Sequence, residues 1–182
     1  MNRIIVTGNA GSGKSTLARQ ISEALKIPYD SLDRVVWQSG WKKTPREERT
    51  RAIKAMVEKP SWVIDGVSYE VQDRAYTVIL LDVPRIVSFW RVAKRNWRFL
   101  FHSRPELPPK CPEILIIPTL IRIIWNFPQK IRPNILSRIS STQDFYHLRT
   151  EAERVAFLTM LKNKEPNQTP QTTPASSAGL RV

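Results

Sequence analysis

Gly8-Asn9-Ala10-Gly11-Ser12-Gly13-Lys14-Ser15 (GNAGSGKS) is the stretch whose reading decides the fold. It fits G-x-x-x-x-G-K-[ST] in full, and its surroundings agree with its letters. Arg3 to Thr7 (RIIVT) is a short apolar run that reads as a buried parallel strand. Residues 14–25 then carry Leu17, Ala18, Ile21, Ala24 and Leu25 at helical spacing. In a strand, glycine turn and helix of this kind, successive backbone N–H groups face one anion. The helix N-terminus adds its partial positive charge. The candidate phosphate-binding residues are therefore Gly8, Asn9, Ala10, Gly11, Ser12, Gly13, Lys14, Ser15 and Thr16. Lys14 is expected to reach the outer phosphates of ATP, and the Ser15 hydroxyl to hold Mg²⁺.

The same alternation of strand and helix continues along the chain. Ile27 and Tyr29 suggest a second short strand around Pro28, ending near Asp33. Thr44-Pro45-Arg46-Glu47 reads as a helix start with a capping box, and that helix is expected to stop before Pro60. Trp62 to Asp65 (WVID) and Thr77 to Leu81 (TVILL) read as strands. A helix follows Pro84, and a proline-rich loop spans Ser103 to Pro112. A helix from Glu113 to about Phe127 should break near Pro118, with short helical pieces after it. Phe145 to Leu148 reads as a last strand and Glu151 to Leu161 as a closing helix. This is an α/β pattern: a three-layer arrangement with a parallel sheet flanked by helices, and its site at the carboxyl ends of the strands.

Length and composition agree with one domain. The chain has 182 residues, 41% of them hydrophobic. Residues 1–162 are expected to form the folded domain, and 163–182, polar and rich in Pro, Thr and Ser, a disordered tail. The net charge of +13 favours phosphorylated or polyanionic partners. The single cysteine, Cys111, fits a reducing cytoplasm. The apolar run Ile114 to Phe127 is broken by Pro118 and Arg122 and is too short to span a bilayer, so no membrane partner is expected. His102 and His147 show no metal-ligand spacing.

A phosphate loop does not say what the energy is used for. A chain this short, without an N/T-K-x-D base-reading stretch, fits a small kinase best. Two aspartates end strands and face the loop, Asp65 and Asp82; Asp65 is the preferred metal residue, because Gly66 beside it suggests the close approach of a ligand. Asp82 precedes Val83-Pro84 and reads more naturally as a cap. Asp33 is the acceptor-side candidate, placed to hold or deprotonate a substrate hydroxyl. Trp37 and Trp41 flank a turn at Gly40 and either line the acceptor pocket or pack that region.

The sequence resembles the nucleoside-monophosphate-kinase-like P-loop kinases, a group that includes adenylate, gluconate and shikimate kinases. More closely it resembles the small bacterial proteins labelled DNA topology modulation protein, or adenylate-kinase-related. The resemblance runs from about Asn2 to Leu161, on GNAGSGKSTLARQ, SLDRVVWQSGW, TPREE, WVIDG, LDVPR, WRVAKRNW, RPELPPKCPE and HLRTEAE. It implies ATP at the loop, an acceptor near SLDRVVW and a mobile helical lid after LDVPR whose arginines close on the phosphates. It also places His147 to Thr150 near the adenine. Asp65-Gly66 matches the family's Asp-Gly pair, but Val67-Ser68-Tyr69 replaces the F-P-R that helps hold a nucleoside monophosphate.

Arg91 to Arg104 (RVAKRNWRFLFHSR) is basic, with no acid in it. On a helix Arg91, Lys94, Arg95 and Arg98 share one face, and Phe89, Ala93, Trp97 and Leu100 the other, which is expected to be core. Arg91 and Arg95 are the first candidates for stabilising charge on a transferring phosphoryl group, with Arg104 and Arg132 behind them. The sequence thus points to a kinase that transfers the γ-phosphoryl group of ATP, with Mg²⁺, to a small hydroxyl- or phosphate-bearing acceptor. The alternative is a nucleotide-switched regulator that binds nucleic acid through the basic stripe.

Overall fold

The computed structural model describes residues 2–99 and 112–163. Elements alternate as the patterning requires. Strand β1 (Arg3–Gly8) leads through the glycine loop into α1 (Lys14–Leu25). Strand β2 (Tyr29–Ser31) is followed by α2 (Leu32–Val36) and a small antiparallel hairpin, β3 (Trp37–Gln38) with β4 (Lys42–Lys43). Next come α3 (Arg46–Val57), β5 (Trp62–Asp65), α4 (Tyr69–Arg74) and β6 (Thr77–Leu81). Helix α5 (Arg85–Phe99), α6 (Ile117–Asn126) and α7 (Arg132–Ser137) precede β7 (Asp144–Leu148) and α8 (Glu151–Asn163).

The main sheet has five strands in the order β2-β5-β1-β6-β7, all parallel. Its central strand explains the layers. Ile4 and Val6 point to one face, where they meet Leu17 and Ile21 of α1 and Phe157 and Leu161 of α8. Ile5 points to the other, against Ile53 and Met56 of α3 and Val71 of α4, with Trp62 and Ile64 beside it. A strand buried on both faces has no polar alternation, which is why it reads as a continuous apolar run. Each fully buried Leu, Ile or Trp contributes roughly 1.5–3 kcal/mol of transfer free energy.

Several expectations are corrected. The Thr44–Glu47 capping box does not form: Pro45 occupies the N-cap position of α3 with no side-chain cap bond, and the Thr44 N–H is taken by the Val36 carbonyl at 3.0 Å. A reciprocal pair is found instead at α8, where the Glu153 carboxylate accepts from the Arg149 N–H at 2.6 Å and the Glu153 N–H donates to Thr150 Oγ1 at 3.1 Å. The Arg149 N–H bond holds the Glu153 carboxyl below its usual range. The strand after Pro28 ends at Ser31, and Asp33 falls in the first turn of α2. The break expected near Pro118 is present: a short 3₁₀ turn, Glu113–Leu115, precedes α6, whose first turn holds Pro118, and Phe127–Ile131 forms a π-helical turn where Pro128 removes a donor.

Helix α5 departs most from its reading. Its buried line is Ser88, Val92 and Asn96, spaced by four, while Trp97 is 80% and Trp90 71% exposed. Two of those three inward residues are polar, so hydrophobic spacing assigned the wrong face to the core. Ala93 is exposed and Phe89 half-buried. The expectations for Leu100, His102, Arg104, Cys111 and the tail from 164 onward lie outside the described residues.

Gly66 has a close neighbour that its reading did not include. It adopts φ +135°, and a Cβ there would stand 2.8 Å from the Leu32 Cβ and Cδ1. On the Cβ side of this glycine the close approach is made by the Leu32 side chain of α2. Gly66→Ala should cost about 2 kcal/mol from strain and overlap together, lowering Tm by ~4–8 °C for a domain of this size. A thermal melt by circular dichroism checks it; an unchanged Tm would show that Leu32 moves aside freely.

Candidate phosphate-binding site

Three elements converge at the carboxyl edge of the sheet. Strand β1 delivers the glycine loop. Strand β5 pairs with it in the register Val6↔Asp65, so the last residue of β5 lies beside the loop. The resulting contact is direct: Ser15 Oγ donates to Asp65 Oδ2 at 2.5 Å. Asp65 is 1% exposed, and a carboxylate so deeply placed needs donors around it. The second donor comes from β2, where the Tyr29 hydroxyl bonds Asp65 Oδ1 at 3.0 Å. Burial first, then the Asp65 charge and hydrogen bond, push the Tyr29 phenol up to about 12, so it remains a donor at any working pH. Asp65 is thus the strand-end carboxylate joined to the loop.

Asp82 is engaged elsewhere. Its Oδ2 accepts from Arg132 Nη1 at 3.0 Å and lies 2.9 Å from His147 Nε2. Arg132, Asp82 and His147 line a cavity of about 690 Å³ with Pro84, Pro128 and Arg149. Arg132 is therefore paired with a carboxylate and not with the loop.

The loop is fixed by its own side chains. Asn9 Nδ2 donates to the Ile124 carbonyl of α6 at 3.0 Å, and Asn9 Oδ1 accepts from the Ala10 N–H at 2.8 Å. Asn9 and Ser12 are 2% and 1% exposed, so what they offer an anion is backbone. Gly11 lies against α5: a Cβ there would stand 2.6 Å from the Ser88 carbonyl oxygen and 2.7 Å from Val92 Cγ2. Gly13, in the left-handed region, serves as N-cap of α1 with no side-chain cap bond. Lys14 and Ser15 occupy the first turn, half-buried, and Thr16 is exposed.

Two guanidinium groups stand over this turn. Arg91 Nη1 donates to the Ser12 carbonyl at 3.2 Å. A Cβ on Gly13 would lie 3.2 Å from Arg154 Nη1 and 3.7 Å from Arg91 Nη1. Glu151 links them, with Oε2 3.9 Å from Arg91 Nη2 and Oε1 bonded to Arg154 Nη2. These residues line a cavity of about 190 Å³ with Pro84 and Arg149. Arg95, one turn beyond Arg91, is half-buried.

Sequence reasoning brought Arg91 to the loop but missed Arg154 and Tyr29. Arg154 lies in the helical stretch after the last strand, and nothing in its spacing marks it. Only the β7–α8 turn, set by Thr150 and Glu153, aims it back at Gly13. Tyr29 was read as a strand residue, and its partner is 36 positions away. Asp33 is half-buried in α2. Trp37 and Trp41 pack edge to face at 5.4 Å and join Ala10, Phe89, Val92 and Ile124, so they brace the loop-side cluster.

A five-stranded parallel sheet with this loop before its first helix defines a P-loop α/β fold. A family model described as an AAA domain matches residues 4–98, more than half of the chain, and the protein belongs to that family. No curated protein matches the chain. Among solved structures it is similar to a shikimate kinase from Acinetobacter baumannii in complex with shikimate (TM-score 0.54, 17% identity, covering 92% of this chain and 95% of that one). It is also similar to a shikimate kinase from Bacteroides thetaiotaomicron (TM-score 0.55, 18% identity, 90% and 97% covered). A third likeness is to a putative kinase from Chloroflexus aurantiacus (TM-score 0.51, 12% identity, 90% and 98% covered). At these identities the likeness establishes the fold.

Proposed function

We propose that this protein is an ATP-dependent small-molecule kinase, which transfers the γ-phosphoryl group to a hydroxyl- or phosphate-bearing acceptor in a reducing cytoplasm. The observation that carries the reading is the Ser15–Asp65 contact beside Lys14, under the guanidinium groups of Arg91 and Arg154. The fold shared with shikimate kinases supports it. The closer resemblance, to the bacterial DNA topology modulation or adenylate-kinase-related proteins, rests on the quoted motifs.

The donor set fits Mg²⁺. A hydroxyl and a carboxylate oxygen within 2.5 Å of each other are hard ligands, and among the described residues no cluster of three His, Cys, Asp or Glu competes as a metal site. Such a site suits a cation that keeps most of its water and shares a nucleotide's phosphates. Ser15 and Asp65 would hold it, with Tyr29 fixing the carboxylate. When bound, the ion neutralises phosphate charge and helps align the γ-phosphorus.

The chain's own residues supply the rest. The Gly11–Ser15 backbone and the α1 N-terminus receive the phosphates, and Lys14 adds a positive charge at their outer end. Arg91 and Arg154 are the candidates to exchange their contacts with Glu151 for triphosphate oxygens. Arg95 is the candidate for charge on the moving group. An acceptor oxygen attacks the γ-phosphorus, the bond to the β-phosphate bridging oxygen breaks, and the acceptor's proton passes to a base, for which Asp33 is the candidate.

Two outcomes are expected. Lys14→Ala should reduce phosphoryl transfer by ~10²-fold or more with the fold retained, measured with γ-labelled ATP against a panel of small metabolites and nucleotides. Full activity in that variant would overturn the kinase reading. Arg154→Ala should weaken ATP binding by ~10-fold and adenosine binding by less than ~2-fold, because a phosphate contact is lost and a base contact is not. Equal losses for both ligands in calorimetry would remove Arg154 from the phosphate site.

A further inference from the structure

Among the described residues eleven large hydrophobic side chains are exposed, and seven of them fall between Ile86 and Trp125. Single exposed apolar residues are ordinary, but a contiguous group marks an interaction surface. Ile86, Trp90 and Trp97 are 77%, 71% and 80% exposed and lie within about 40° of one another around α5. Ile121 and Trp125 of α6 are 49% and 58% exposed. An open apolar groove of about 540 Å³ runs between the two helices, lined by Phe89, Trp90, Ala93, Trp97, Ile117 and Ile121.

Cations are set into this face. Lys94 is exposed and sits one turn from both Trp90 and Trp97. Arg122 is exposed next to Ile121, and the Arg85 guanidinium carbon stands 5.1 Å from the Trp125 ring centroid, joining the two helices. Neither α5 nor α6 contains an acidic residue. Tryptophan and isoleucine on one side, with lysine and arginine at their flank, is the composition of helices that lie in a membrane interface.

We propose that the exposed face of α5 and α6 docks on an anionic lipid bilayer, with Trp90, Trp97 and Trp125 at headgroup depth and Lys94 and Arg122 on lipid phosphates. Charge decides among the occupants. A second copy of the chain would bring together two helix faces whose own charged residues are basic, whereas an anionic surface complements them. Ile86, Ile117 and Ile121 set aliphatic surface beside the tryptophans, which suits acyl chains, whereas nucleic-acid bases would use only the aromatic planes. The expectation of no membrane partner rested on the run Ile114 to Phe127 being broken and too short to span a bilayer. Trp97 is exposed, and surface docking needs no spanning helix. Indeed no helix among the described residues is long and apolar enough to cross a membrane. The proposal does not depend on the kinase reading.

Vesicle co-sedimentation of the full chain tests it, comparing phosphatidylcholine alone with phosphatidylcholine containing about 30% phosphatidylserine. Binding is expected to be at least ~10-fold stronger to the anionic vesicles and to fall in high salt. Trp90→Ala with Trp97→Ala should lower it ~10-fold or more, and Lys94→Glu should do so at low salt only. These positions are on the surface, and a thermal melt establishes that the variants are folded. No binding to anionic vesicles at low salt would overturn the proposal, as would equal binding by the folded tryptophan variant. A concentration-dependent dimer that the tryptophan changes abolish, without vesicle binding, would overturn it and assign the face to a second copy. Binding of single-stranded oligonucleotide in place of vesicles would overturn it as well.

Discussion

A carboxylate removed from solvent has to be held by donors, and the site is arranged around that requirement. Asp65 ends the strand next to the central one, and parallel register pairs it with Val6, two residues before the glycine loop begins at Gly8. Ser15 reaches it from one side and Tyr29 from the other. Three segments distant in sequence are thereby tied at one point: the first turn of α1, the end of β5 and the edge strand β2. Replacing Asp65 with an apolar residue would leave Tyr29 and Ser15 without their partner, and replacing either donor would leave a buried charge short of a bond.

Around that point the loop is braced from outside the sheet. Asn9 is held by the Ile124 carbonyl, and Gly11 admits the Ser88 turn of α5. Trp37 and Trp41 complete the cluster beneath. The helices that carry the exposed tryptophans are therefore the same ones that fix the phosphate loop. Arg91 belongs to α5 and Arg154 to α8, so the two guanidinium groups near Gly13 arrive from different helices, with Glu151 between them.

Much of this was legible before any coordinate. Every long apolar strand and the helix after the glycine loop were readable from periodicity, because burial on both faces leaves an uninterrupted signal at Ile4–Val6, Trp62–Ile64 and Val78–Leu81. The phosphate loop and Asp65 were readable because their chemistry is local. What was hidden depends on distance or on polar residues facing inward. Ser88 and Asn96 fill the buried line of α5, so the helix turned about its axis relative to the hydrophobic reading and left Trp97 outside. Arg154 and Tyr29 act across the fold, where spacing carries no information. The glycine at 66 was read for a ligand, and spacing gave no sign of Leu32 against its Cβ side.

The central claim is that Ser15 and Asp65 hold the metal of a bound nucleotide. Calorimetric titration of ATP into the wild-type chain and into Asp65→Asn, each with Mg²⁺ and with a chelator, addresses it directly. Asparagine keeps the shape and an acceptor for Tyr29 while removing the charge. The account predicts that Mg²⁺ strengthens ATP binding to the wild type by ~10-fold or more and that the folded Asn variant loses most of that gain. An equal Mg²⁺-dependent gain in both proteins would contradict it.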